Sequence, residues 1–286
     1  MALYVNNLVA SIVLSIITAL FVMARSCCIS CERSSRWTVE MIKWHQREKW
    51  LVFGAGVLFW AYCGGVWTAV ASSSYNENIN ADESSRSRFF WEMRKFNSQF
   101  GAYGTTLCIT FCRFAIIIFY TRTFYSFRPT YFEQQSLFLS VIGLFTAIWF
   151  IAAVFWDLFK CRPYEKAYKD SAKGSCANEL IGFGILEVTS SLLNVMLVGF
   201  LYFMIASKVM VFVKRLEIQT ALAMGGFVCL TSLMRIVEVT SPKDPAVVLN
   251  ENTFWHLLQL GFAIVCCCIA PVRSILPELV ADPRLL

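Results

Sequence analysis

Five ionisable residues stand inside runs otherwise too apolar to hold a charge: Arg113, Asp157, Glu187, Arg235 and Glu238. In hydrocarbon an unpaired charge costs several kcal/mol, so each must find a partner, reach water or serve a ligand. Arg235 and Glu238 are three apart and share one helix face. Glu187 lies in the preceding apolar run, where it can pair with Arg235 between neighbouring helices. A buried Glu187 could also serve as an acid or base, but the sequence offers it no obvious catalytic partner, and no catalytic residue is assigned. Gln259 and Asn194 add uncharged hydrogen-bonding groups in two of these runs.

Two readings follow. Asp157, Glu187, Arg235, Glu238 and Gln259 fall toward one membrane face and can form a polar ligand pocket open to the outside. Alternatively they are interhelical pairs and snorkelling side chains, which is the leading expectation. Arg113 falls in the opposite half of its run, where snorkelling or structural pairing is expected before a partner-coupling surface. For Asn194 an interhelical hydrogen bond is expected before ligand binding.

The twelve cysteines are too scattered for a disulfide scaffold. Cys161 and Cys176 share one linker, predicted to face an oxidising compartment, which makes them a candidate disulfide. Cys27, Cys28 and Cys31 follow the first apolar run and are acylation candidates, with unmodified thiols the default. Cys266, Cys267 and Cys268 read as apolar packing residues. His45 and His256 are the only histidines, so no metal centre or cofactor is expected. No Walker or HExxH motif occurs.

The elements that must position these residues are membrane helices. Of 286 residues 57% are hydrophobic and only 15% charged, against about 25% charged in soluble domains. Mean hydropathy is +0.58. Repeated apolar runs of about 20 residues read as helical spans, and β-barrel strands are shorter and alternate in polarity. The reading is an all-α, seven-helix polytopic bundle forming one domain over 1–273. Its spans are expected at about 8–24, 50–71, 101–120, 137–159, 180–206, 218–239 and 253–270, with a short cytoplasmic tail over 274–286. Arg25 is read as the stop of the first span. The first apolar run has no basic segment before it and is read as a retained helix, not a cleaved leader.

Linkers after spans one, three and five, with the tail, hold 13 Lys and Arg against ten in the other linkers. That bias puts the N-terminus outside and the C-terminus in the cytoplasm. The net charge of +6 therefore reads as orientation, and nucleic acid is not an expected partner. The expected partner is the lipid bilayer, and an unidentified small-molecule ligand belongs to the pocket reading. Span seven contains no lysine and no other span has a central one, which excludes a retinal Schiff base.

Several segments resemble a known family. Cys112 to Phe124, CRFAIIIFYTRTF, is similar to a span-three segment in which Arg113, Phe119, Tyr120, Arg122 and Phe124 match. Cys161, Arg162, Pro163, Gly174 and Cys176 match a C-R-P loop ending in G-x-C. Gly225, Gly226, Phe227, Cys229, Ser232 and Arg235 match a sixth-span motif, and Trp255 to Arg273 resembles a last span closing on cysteine, proline and arginine. Together they resemble the fungal seven-span proteins with a rhodopsin-like domain. These include integral proteins encoded in satratoxin-type toxin clusters and, more distantly, PTH11-type receptor candidates. The chain departs from the pattern at Leu197, where the family usually has aspartate, and at Gln259, where it has glutamate. The resemblance implies a membrane protein associated with secondary metabolism, not a light sensor. A receptor-like or accessory role comes first; a small-molecule exporter and a membrane-embedded biosynthetic enzyme are the alternatives, in a plasma or internal membrane.

Overall fold

The computed structural model describes residues 2–32, 39–74, 90–127, 129–167, 173–206, 212–240 and 245–281. The side chains of Cys28 and Cys31, the polar stretch 75–89 and the tail 282–286 lie outside the described residues. The long elements are all helical: α1 Ala2–Glu32, α2 Val39–Ser74, α3 Ala102–Phe127, α4 Pro129–Phe159, α5 Glu179–Ala206, α6 Phe212–Thr240 and α7 Pro245–Ala281. A helical stretch over 90–96 and a π-helical turn, Asn97–Gly101, lead directly into α3. Between α4 and α5, β1 (Cys161–Arg162) pairs antiparallel with β2 (Ser175–Cys176), and Cys161 is disulfide-bonded to Cys176. Asn178 then caps α5, its Oδ1 accepting from the Ile181 N–H at 3.4 Å.

Among the described residues, six helices contain segments long and apolar enough to cross a membrane: Asn6–Cys27, Trp44–Ala71, Ala102–Arg122, Ser136–Phe159, Ile181–Phe203 and Val247–Ile269. The molecule is therefore an all-α, polytopic membrane protein. α6 carries Arg235 and Glu238 and is not among the six.

Each helix packs on its successor in sequence, and α7 packs back on α1, closing a ring. α7 also touches α2 and α3 across that ring. Its central position shows in burial: 61% of its membrane segment is inside the protein, against 22% for α4. Along α1, Val9, Ile12, Val13, Ile16 and Leu20 are exposed, the arrangement expected of a lipid-facing surface. Lipid tails remove the usual hydrophobic drive for helix association, so packing and interhelical hydrogen bonds must hold the ring. Asn7 donates to the Asn250 side chain at 2.7 Å, joining α1 to α7. Trp60 and Trp67 donate to Thr18 and Ser11 at 3.2 and 2.6 Å, joining α2 to α1. Gly65 leaves room on α2 for the Phe96 ring, which a Cβ there would strike.

One polar cluster corrects the expectation that Arg25 marks the end of the first helix. α1 continues to Glu32, and Arg25 is buried inside the bundle. Its guanidinium donates to the Glu48 carboxylate and to the Cys267 carbonyl, tying α1 to α2 and α7. Arg122 on α3 lies 3.7 Å from the other Glu48 oxygen and contacts His45. α2 begins at Val39, so His45 and Glu48 lie within a helix and not in a linker before Trp50. A charge ends a transmembrane helix when its remedy is water; here the remedy is an opposite charge on the next helix.

This cluster generates a prediction. Glu48→Gln leaves Arg25 buried without its counter-charge and should lower stability by about 3–5 kcal/mol. Arg47→Gln, its exposed neighbour, should change stability by less than about 0.5 kcal/mol. Thermal unfolding of detergent-extracted protein checks both; equal effects would remove the lock.

Candidate functional site

At the opposite end of the bundle, α5 presents a polar stripe. Glu187, Ser190, Asn194 and Leu197 are spaced three, four and three apart and all are buried. Val188, Leu192, Val195 and Met196, on the other side of the helix, are exposed. The spacing follows the 3.6-residue helical turn, so the stripe faces the bundle along its length.

Two arginines from other helices meet this stripe. Arg235 on α6 pairs with Glu187 at 3.0 Å and donates to Gln259 on α7 at 2.9 Å. Its Nε donates to Asn252 at 3.1 Å, and its guanidinium lies over the Phe183 ring. Gln259 in turn donates to Ser232 at 2.7 Å, so one continuous network ties α5, α6 and α7. Arg113 on α3 does not snorkel. It is 2% exposed, donates to Asn194 at 3.0 Å and to the Ser190 carbonyl at 2.9 Å, and stacks on Trp149 of α4. Trp149 donates to the Leu186 carbonyl at 3.0 Å, which fixes its ring between α4 and α5.

Outside this layer is a cavity of about 540 Å³. Its floor includes Glu187, Arg235 and Ser190, and Trp149, Trp156 and Phe183 give it aromatic walls. Asn97 and Ser98 reach it from the π-helical turn, a local widening often found at functional sites. α4 and α5 come close at Gly182, where a Cβ would meet the Trp156 ring. Asp157 also lines the cavity and pairs with Lys160 at 3.1 Å. Two lining atoms are buried with no hydrogen-bond partner among the described residues: Glu187 Oε1 and His256 Nε2. The cavity can thus offer a ligand one carboxylate acceptor, one imidazole nitrogen and flat aromatic surface.

The residues read from sequence separate into groups. Glu187, Arg235 and Asp157 meet at the cavity. Gln259 lies beneath it, lining a smaller cavity with Arg113 and Asn194. Glu238 is half-buried and lines neither cavity. Cys27 is exposed near the end of α1's membrane segment, while Cys266, Cys267 and Cys268 are buried, Cys267 donating to the Cys112 carbonyl at 3.5 Å. Sequence reasoning missed Tyr62, Arg94, Asn252 and His256 as cavity residues. His256 carried a signal, being a polar ring one turn before Gln259 on the same face.

Comparison with known proteins bears on this arrangement. No solved structure matches the chain. It is 28% identical over 171 residues to satratoxin biosynthesis SC1 cluster protein 4 of Stachybotrys chartarum. That similarity covers 59% of this chain and 61% of the other protein. The model of the fungal rhodopsin domain matches residues 33–278, which takes in α2 to α7 and leaves out α1. An integral, multi-pass membrane protein, the chain belongs to the fungal rhodopsin domain family.

Proposed function

We propose that this protein is a receptor-like or accessory membrane protein of fungal secondary metabolism, with a small organic ligand bound in the outer-half cavity. The observation that carries the reading is the cavity itself. Its volume of about 540 Å³ lies within the range of roughly 300–1,000 Å³ typical of small-molecule sites. Aromatic walls with a few convergent polar groups also suit such a site, and Glu187 Oε1 awaits a donor such as a hydroxyl or amine. The similarity to a toxin-cluster protein supports the metabolic setting, and the receptor reading extends the sequence resemblance to PTH11-type receptor candidates. Residues 247–269 hold no lysine, which favours a diffusible ligand over a retinal chromophore.

The reading adds α6 as a further span, the sixth in chain order, which brings the total to seven, its Arg235 tolerated because Glu187 neutralises it. The bundle is then one membrane domain with its N-terminus outside and its C-terminal tail in the cytoplasm. A second reading, a membrane-embedded enzyme, rests on Glu187 Oε1 and His256 Nε2, an acid-base pair in kind, lining the same cavity without partners.

Two expected outcomes follow. Reporter fusions at the two termini should report opposite sides of the membrane; both in the cytosol would remove this further span. Deleting the gene and profiling metabolites in cells and medium should leave the chemistry unchanged while altering response or expression. Restoring the gene with Trp156→Ala, which opens an aromatic wall of the cavity without touching the charge network, should give protein at the membrane without restoring that response. Accumulated precursor would instead establish the enzyme, and product held inside cells an exporter.

A further inference from the structure

The network beneath the outer cavity does not balance its charge. Arg113 and Arg235 are both buried, and among the described residues the carboxylate hydrogen-bonded into their network is Glu187. Glu187 pairs with Arg235 at 3.0 Å, while every side-chain hydrogen bond of Arg113 goes to a neutral group, Asn194 or Ser190. The three residues together carry one net positive charge in the middle of a membrane bundle. A guanidinium remains protonated in such a setting, so loss of a proton is no remedy.

Two donors at this place meet no acceptor among the described residues: Arg113 Nη1 and Asn194 Nδ2. Both side chains are more than nine-tenths buried. Both line a second cavity, of about 40 Å³, between α3, α5, α6 and α7. Among the described residues no aspartate or glutamate lines it, and its remaining wall is largely aliphatic, with Leu197, Val198, Val228 and Ala263. One water needs roughly 10–15 Å³ of such space. The cavity therefore has room for a monoatomic anion with one or two waters, and sulfate, with two charges to strip of hydration, is the costlier ion to bring into it. Water could satisfy the two donors but would leave the positive charge uncompensated in low dielectric, where charge attraction is strongest.

We propose that the cavity below Arg113 binds one chloride ion, held by Arg113 Nη1 and Asn194 Nδ2, which neutralises the excess charge of the α3–α5–α6–α7 network. The ion is a structural counter-charge and does not depend on what occupies the outer cavity.

The test uses the full chain in detergent. Protein dialysed extensively into sodium gluconate is denatured, and its chloride is measured by ion chromatography. Its thermal midpoint is then followed against chloride, bromide and sulfate at constant ionic strength. The expected result takes one of two forms: about one chloride per chain is retained, or chloride and bromide raise the midpoint saturably and sulfate does not. At a hundredfold excess over Kd the rise should be roughly 5 °C. Asn194→Asp supplies a fixed carboxylate beside Arg113 and should abolish the halide response or retention. Ala263→Leu fills the cavity without altering a polar group and should do the same. Wild-type protein with no retained chloride and a flat midpoint overturns the proposal. So does a folded variant of either kind that keeps the full wild-type behaviour, which would put the halide elsewhere.

Discussion

A guanidinium cannot be left unpaired in hydrocarbon, and the bundle is organised around three that are buried: Arg25, Arg113 and Arg235. Each is met by groups on helices other than its own. Arg25 joins α1 to α2 and α7, Arg113 joins α3 to α5, and Arg235 joins α6 to both α5 and α7. Because lipid supplies little drive for helix association, these contacts specify which helices are neighbours and in what register. A one-turn slip of α6 along α5 would leave both Arg235 and Glu187 unpaired, so the packing has little freedom to slide.

The same contacts shape the site. Arg235, held from below by Gln259 and from the side by Glu187, forms a charged floor under aromatic walls. A buried ion pair is often no more stable than apolar residues of equal volume. Its presence here fits a role in fixing geometry and offering Glu187 Oε1 to the cavity. The π-helical turn before α3 does related work, carrying Asn97 and Ser98 to the rim, while Tyr164 donates to the Ser98 carbonyl from the disulfide-closed linker.

Charges inside apolar runs were legible in the sequence because the runs themselves announce the membrane. Glu187 and Arg235 stood out for that reason, and Cys161 and Cys176 because they share one short linker. Glu48 was not legible. It lies between Gln46, Arg47 and Lys49, so its neighbours disguise it as part of a polar linker, although only Glu48 turns fully inward. Arg25 was misread for the same reason: a charge at the end of an apolar run looks like a stop until its partner on another helix is known. Arg94 and Asn252 reach the cavity through tertiary placement that periodicity alone does not encode. The outer cavity's volume and the unmet donors of Arg113 and Asn194 are likewise properties of packing.

The Arg235–Glu187 contact is the most direct place to test this account. A double-mutant cycle, with Arg235→Met, Glu187→Met and both together, can be read by thermal stability of detergent-extracted protein. Each single change should cost about 3–5 kcal/mol, and the double change should recover part of that loss, with a coupling of about 1–3 kcal/mol. Glu187→Met should be the more damaging single change, because the same carboxylate is the nearest counter-charge to Arg113. A coupling indistinguishable from zero, with both single variants within about 0.5 kcal/mol of wild type, would contradict the claim that this buried pair holds the bundle together.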